Sequence, residues 1–588
     1  MCHPSRWIEA IDAVNSHLDG LRLVMAYRIK AEALKAAGCA GLVTAMERGD
    51  FIHEEICRVF EESVSERTLD ELMSNNQTLA AFSGIRQDEK IGRLRRLDAS
   101  YRDAVRKYVV AKVADALPDP ELLAADEKKQ YALLKRESTK KKRIMPIRSL
   151  LAETMPVAKR MKPCFLMSPL SVAQYLPAAT AIFDVVIFDE ASQMTVWDAV
   201  GAIARGAQFV CVGDPKQLPP TSFFVKGDAI EDDPDLDATA QDLESILDEC
   251  LANGLFATYL NWHYRSRHES LIAFSNRHYY EDRLNTFPAA ESNDRLGVSF
   301  RFVEDALYDH TTHTNEKEAI ALVDYLFCRL ESEEERVRSW GVVTFSVSQK
   351  RLIERLIEKR ANGVEWAKEF FDDAKPDAFF VKNLENVQGD ERDVIIFSIA
   401  YAPDAEGNFA MMFGPINHPG GERRLNVAIT RAREQVIVFS ATHSSEIHAE
   451  RTNSVGVRHL KALMDYAETG RLDGDGRCVA TDRSRGLIGE VRRFLESHGY
   501  EVVENVGRSS MPIDLAVRDP GNANRYVLAI ESDGPKYASQ WSVRDRDILR
   551  EDVLRNLGWN YLRLWSIDWA FDRKRTEKRI LDALPVRE

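Results

Sequence analysis

Cysteine is sparse and scattered in this 588-residue chain: Cys2, Cys39, Cys57, Cys164, Cys211, Cys250, Cys328 and Cys478, no two of them at CxxC spacing. That pattern indicates neither a zinc site nor a disulfide framework, and it fits a reducing cytoplasm. Long apolar runs are missing too; none approaches the roughly 18 residues of a membrane span. The opening stretch MCHPSRWIEAIDAV has no basic segment followed by an apolar one, so secretion is not expected. Excess positive charge is absent. The net charge of −14 argues against coating nucleic acid by bulk charge, although residues 476–588 carry slightly more Lys and Arg than Asp and Glu. There is no solenoid repeat and no low-complexity tract. Finally, no Gly-Lys dipeptide occurs anywhere, which excludes the GxxxxGK[ST] loop that cradles nucleotide phosphates.

What remains is ordinary globular composition, 45% hydrophobic and 29% charged, in a chain long enough for about three to four domains. Residues 1–160 read as helical. Leu21, Leu23, Val24 and Tyr27, and later Ile91, Leu94, Leu97 and Tyr101, recur at three-to-four spacing. The basic run Lys135–Arg148 reads either as a solvated helix face or linker, or as a phosphate contact. From Pro163 the pattern changes to short Val-, Ile- and Phe-rich runs separated by helical stretches: CFLMS (164–168), FDVVIF (183–188) and QFVCV (208–212). A second series follows at Val342–Phe345, Val394–Ser398 and Val436–Ser440. Alternating strands and helices predict parallel α/β sheets over 161–255 and 256–445. Residues 446–475 read as a helical connector, and 476–588 as a further α/β domain.

The sharpest local signal is VVIFDEAS, a strand that delivers Asp189 and Glu190 to its C-terminal end. Ligands bind there in open α/β sheets. The first acid suits Mg²⁺ through water, and the second suits accepting a proton from water attacking a phosphate. Gly213-Asp214-Pro215-Lys216-Gln217-Leu218-Pro219-Pro220-Thr221 follows the next strand. Together, in this order, the two resemble motifs II and III of superfamily 1 helicases. The resemblance continues in Trp262–Ser266 with Arg265 (motif IV), Val387–Glu391 with Gly389 and Glu391 (motif V), and LNVAITRAR (425–433) with Arg431 and Arg433 (motif VI). It implies ATP and Mg²⁺ as cofactors. It also implies nucleotide contacts from Asp189, Glu190, Gln217, Arg265, Gly389, Glu391 and Arg431, with Arg431 and Arg433 as the source of an arginine finger.

DEAS with LNVAITRAR is most similar to the Upf-like branch, whose members translocate 5′ to 3′. MPIRSLLAE followed by CFLMSPLSVAQYLP resembles large bacterial helicase-related proteins that end in an endonuclease-like domain. On that resemblance residues 1–160 are a helical insertion in the first RecA-like domain. Ser168, Ser171, Thr221, Thr344 and Gln349 lie along the nucleic-acid path. Ser and Thr at strand ends also serve simply as turns and caps. The missing phosphate loop implies an incomplete first sheet with exposed apolar edges. It leaves two readings: a C-terminal piece of a longer product, or a subunit whose partner supplies the loop.

Residues 484–569 carry a second constellation: Glu490 on a helix, Asp514 opening a strand, and Glu531-Ser532-Asp533-Gly534 ending one. This order resembles PD-(D/E)XK nucleases related to very-short-patch repair endonucleases. The resemblance implies Mg²⁺ held by Asp514 and Glu531, with Glu490 as a third ligand. Asp533 stands where a lysine belongs; either Lys536 reaches in, or Asp533 is a further ligand. The function expected is an ATP-driven translocase module coupled to a Mg²⁺-dependent nuclease domain acting on DNA. A catalytically silent DNA-binding or scaffold protein and a standalone Mg²⁺-dependent nuclease with an inert helicase remnant are the alternatives.

Overall fold

A computed structural model describes residues 4–50, 56–178, 182–220, 244–472, 486–509, 511–540 and 542–585. The chain divides into two compact units, residues 1–89 and 90–588. No helix among the described residues is long and apolar enough to cross a membrane.

The first unit is helical: Pro4–Ser16, Leu18–Ala36, Ala40–Arg48, Ile56–Asn75 and the short Gln77–Ala80. The carboxamide oxygen of Asn76 caps the last of these, accepting from the backbone of Thr78 and Leu79. Helix period was the correct reading of Leu21, Leu23, Val24 and Tyr27. Those side chains nevertheless stand exposed rather than lining a core.

The second unit begins within the helix Gly84–Ala116 and continues through helices Ala125–Thr139 and Ile147–Met161. In the basic run, Lys140 is committed to the buried Glu137 at 2.6 Å. A parallel pair of strands follows, β1 (Phe183–Phe188) and β2 (Gly206–Cys211). CFLMS, expected as a strand, has no strand partner here; residues 162–168 are irregular. A lone strand cannot satisfy its backbone, and the sheet that would pair it has only two members. Hence Val185 is exposed, and Ile187 is 68% exposed on a surface that α/β sheets normally bury.

The second sheet has five parallel strands: β3 (Gly297–Phe302), β4 (Trp340–Thr344), β5 (Phe380–Asn383), β6 (Arg392–Ser398) and β7 (Ala432–Ser440), in the order β3-β7-β6-β4-β5. All five residues of β4 are buried, as expected when helices cover both faces. Val343, Ile395 and Val436 pack into one core, while Val342, Ile396 and Ile437 pack into the other. The connector helix Val455–Thr469 is no free link. It buries Val457, Leu460, Leu463 and Met464 in the first of these cores.

The C-terminal sheet contains β8 (Val502–Val506), β9 (Ile513–Asp519), β10 (Asn522–Ser532) and β11 (Tyr561–Leu564), ordered β11-β10-β9-β8. Strand alternation gives it two faces. Leu515, Val517, Leu528 and Ile530 pack beneath the helices Leu487–Ser497 and Arg573–Asp582. Ala516 and Ala529 face the other way, against Leu554, Trp559 and a loop from the second α/β region bearing Phe287 and Ala290. The Trp559 indole donates to Pro288 O at 2.7 Å, and Glu269 accepts the backbone N–H groups of Arg508 and Ser509. From the helical segment, Arg95 meets Asp552 at 2.7 Å and Glu551 at 2.6 Å, and Asp98 meets Arg544 at 3.2 Å.

Candidate functional site: a phosphate-facing cleft and a C-terminal acid pair

The ends of β1 and β2 meet in one turn. Val212 N–H donates to Phe188 O, and Ala191 N–H to Val212 O. A Cβ on Gly213 would lie 2.9 Å from Ser192 N, so the second loop can press this closely on the first only with glycine there. Glu190 adopts φ +54°, a left-handed conformation that L-residues accept at a cost and that concentrates at functional sites. Its carboxylate accepts from Gln193 Nε2 at 3.1 Å. Asp189 is exposed and accepts from the Glu190 N–H, leaving lone pairs for a cation.

Asp214, which sequence reasoning passed over, organises the second loop. It accepts from Lys216 N (2.8 Å), Gln217 Nε2 (3.1 Å) and the Tyr280 hydroxyl (2.7 Å). Asn426 then donates both to Lys216 O (2.9 Å) and to the Tyr280 oxygen (3.1 Å). Burial and the adjacent Asp214 hold the Tyr280 phenol well above its usual pKa, so it remains a donor. Asn426 lies inside LNVAITRAR and was legible as part of that motif; Tyr280 carried no local signal.

Arg431 lies 7% exposed at the end of the helix Gly421–Ile429, donating Nε to Val427 O at 2.8 Å. Burial and the neighbouring Arg265 lower its pKa, opposed by Glu190, Tyr280 and Glu391. Glu190, Arg265, Arg431 and Glu391 therefore share one electrostatic neighbourhood. Glu391 bridges Arg265 (3.3 Å) and Arg433 (3.3 Å). Gly389 occupies φ +84° in the turn before Glu391. Arg433 departs from expectation. It is held by Asp393 (2.9 Å), Asp377 (3.4 Å), Glu391 and Ser339, so four of its five N–H groups are committed to structural partners.

The residues expected along the nucleic-acid path divide. Ser168 is exposed and caps the helix Pro169–Tyr175, with Ser171 at 3.0 Å; Thr221 lies outside the described residues. Thr344 and Gln349 are fully buried, which corrects the expectation for both. Gln349 spans Asn315 and Ser398, joining a buried polar network that ends on Glu318. Burial pushes the Glu318 carboxyl up from 4.5 to about 7, against donors from Ser398 and Ala400. The folded state thus binds this proton more tightly than the unfolded chain. The stabilisation is complete below about pH 4.5 and is lost as pH rises through 7. Glu318→Gln should remove a pH dependence on the order of 3 kcal/mol between those values. Thermal midpoints of the two proteins across pH 4 to 8 check this; parallel curves would count against it.

In the C-terminal sheet, Asp514 and Glu531 face each other across β9 and β10, one position beyond the Leu515–Ile530 pair. Lys536 reaches in to Asp514 at 2.5 Å, taking the place that Asp533 leaves empty. Asp533 instead caps the helix Ser566–Phe571 through Ser566 N and Oγ. Glu490 belongs to the helix that packs on the opposite face of the sheet; it accepts from Trp569 Nε1 (2.9 Å) and Arg573 (3.1 Å). The expected three-acid metal site does not assemble. No group of three His, Cys, Asp or Glu residues able to hold a metal occurs among the described residues.

A count of donors explains why the two remaining acids do not fit Mg²⁺. Both Glu531 oxygens accept from Arg550 Nε (2.9 and 3.0 Å); Oε1 also accepts from Arg550 Nη2 and Oε2 from the Tyr561 hydroxyl. The single Nε–H is shared between the two oxygens, so three hydrogens meet the four lone pairs of Glu531 and one acceptor position stays open. Asp514 Oδ2 takes Ser532 N and Oγ, and Oδ1 takes Lys536, so two acceptor positions are left on the pair, one on each acid.

Comparison with known proteins gives matches to three segments of the chain. Residues 165–224 and 243–443 match models described as AAA domain, and residues 489–584 match the REase_MTES_1575 model. The chain is 29% identical over 445 residues to the protein named uncharacterized ATP-dependent helicase MG140 of Mycoplasma genitalium, covering 73% of this chain and 39% of that protein. Its Mycoplasma pneumoniae homolog is likewise 29% identical, over 70% of this chain and 37% of that protein. Helicase sen1 of Schizosaccharomyces pombe is 25% identical, over 53% of this chain and 18% of its own length. The chain thus spans about two-fifths of the length of the Mycoplasma relatives. The chain is similar to Upf1-like superfamily 1 helicases over its two AAA-domain segments and to a restriction-endonuclease-like domain near its C-terminal end.

Proposed function

We propose that this chain is the phosphate-sensing and DNA-holding portion of an ATP-driven translocase working in a reducing cytoplasm. Residues 1–160 are a helical insertion in the first RecA-like domain, 161–255 its second half, 256–445 the second RecA-like domain, 446–475 the link, and 476–588 the endonuclease-like domain. What supports this reading is that Glu190 and Arg265 both act electrostatically on the buried Arg431, while the Asp214–Tyr280–Asn426 bonds tie the loop after β2 to the helix Gly421–Ile429. ATP with Mg²⁺ supplies the transferable phosphoryl group when bound, with Asp189 as the carboxylate that has free lone pairs for the cation. Glu190 accepts the proton of the attacking water, Gln217 senses the phosphate, and Arg265 and Arg431 face its oxygens.

The phosphate-cradling loop is supplied by polypeptide outside these 588 residues, in the same product or a partner subunit. The chain alone should therefore hydrolyse ATP at background rate. Adding the segment encoded immediately upstream should restore DNA-stimulated hydrolysis, which Glu190→Gln then lowers about 10²- to 10⁴-fold. Failure of both that segment and a partner subunit bearing the loop to restore any hydrolysis would sink the translocase reading. For the C-terminal domain, the pairing of Glu531 with Arg550 and of Asp514 with Lys536 favours holding DNA over cutting it.

A further inference from the structure

Four cations line the same cavity as Asp514 and Glu531. Lys536, Arg546, Arg550 and Arg563 border a space of about 20 Å³. Lys536 pairs with Asp514, Arg550 with Glu531, and both Arg546 (3.0 Å) and Arg563 (2.7 Å) with the buried Asp547. Three carboxylates thus answer four cations, and positive charge is left over. Hydrogen bonding is unbalanced in the same sense. Arg550 is 4% exposed and its Nη1 has no hydrogen-bond partner, while Arg563, 7% exposed, leaves Nε unpartnered. An unmet buried guanidinium N–H costs about 1–3 kcal/mol; both nitrogens are closed to solvent, so an acceptor from outside meets them once a neighbouring side chain shifts. The space admits one or two oxygen atoms. A divalent cation finds only one free lone pair on each acid and a surplus of like charge. An anionic oxygen finds donors and net attraction.

We propose that this cavity is a metal-independent seat for a non-bridging oxygen of a phosphate, and that the C-terminal domain uses it to hold the DNA backbone. This rests on reading the chain as a DNA-acting protein. The guanidinium groups supply planar donor pairs suited to phosphate oxygens, and Lys536 supplies a point charge beside them. Nothing in the contact reads a base, so it grips without choosing sequence.

The test is fluorescence anisotropy of labelled duplex DNA with the full 588-residue chain, in EDTA and in millimolar Ca²⁺, alongside thermal midpoints with and without inorganic phosphate. Affinity should be equal within about twofold in EDTA and Ca²⁺. Arg546→Gln and Lys536→Met should each weaken it by about tenfold and make the log–log salt dependence shallower by about one. Arg546→Lys, which keeps the charge, should retain most of the affinity, separating loss of charge from loss of folding. Inorganic phosphate should raise the wild-type midpoint, and that rise should shrink in Arg546→Gln. Binding that requires Ca²⁺, or Mg²⁺-dependent cleavage abolished by Asp514→Asn, overturns the proposal; so do folded variants that bind DNA as wild type does. If no DNA binds but the phosphate effect remains and depends on Arg546, the anion seat stands and the DNA reading falls. If neither ligand acts, both fall.

Discussion

Arg431→Ala should slow restored, DNA-stimulated ATP hydrolysis by about 10³-fold or more, the range for losing a guanidinium that meets charge developing on a transferring phosphoryl group. The side chain is 7% exposed, donates to Val427 O, and shares its electrostatic environment with Glu190 and Arg265. Truncation also removes the group that separates Glu190 from Glu391 electrostatically, so nucleotide affinity should fall together with turnover. Single-turnover hydrolysis measures the chemical step apart from binding. Arg433→Ala makes the contrast. It leaves Asp377, Glu391 and Asp393 facing one another without their shared cation, so its effect should be on stability, with turnover changed far less. Equal kinetic losses in the two variants would count against assigning the finger to Arg431 alone.

Arg550→Met should destabilise the C-terminal domain by about 3–5 kcal/mol, because it strands the Glu531 carboxylate in the interior with one hydroxyl for company. Restoring balance should restore stability: Arg550→Met combined with Glu531→Met should recover most of the loss, since a well-packed apolar pair replaces a buried ion pair at little cost. Urea midpoints followed by tryptophan fluorescence measure both. A loss below about 1 kcal/mol for the single variant would mean that Glu531 is not committed to Arg550. The donor count that argues against Mg²⁺ would then fail with it.

The residues proposed to face the nucleotide could be picked out because each sits in a short contiguous motif, after a strand for Asp189 and Glu190 and at the end of a helix for Arg431. VVIFDEAS and LNVAITRAR carry strand or helix and functional group in one stretch, so local reading suffices. Tyr280 and Asp214 were missed because their roles exist only across the cleft, where the phenol and the loop carboxylate meet. Thr344 and Gln349 were misplaced because a polar residue after a buried strand reads the same whether it turns outward or satisfies the interior; only the Asn315–Ser398–Glu318 network decides it.

By itself the sequence determined the α/β architecture, the helical beginning, the absence of a phosphate-cradling loop and the order of the motifs. All of these depend on periodicity or on adjacent residues. The tertiary structure decided which acids share a site. Strand alternation places Asp514 and Glu531 on one face of the C-terminal sheet, while the helix bearing Glu490 packs on the other. It also decided that Lys536 and Arg550 neutralise the pair, because ion pairing depends on distances between segments that are separate along the chain. Charge balance in a buried cavity is a sum over such segments, and no single stretch of sequence contains it.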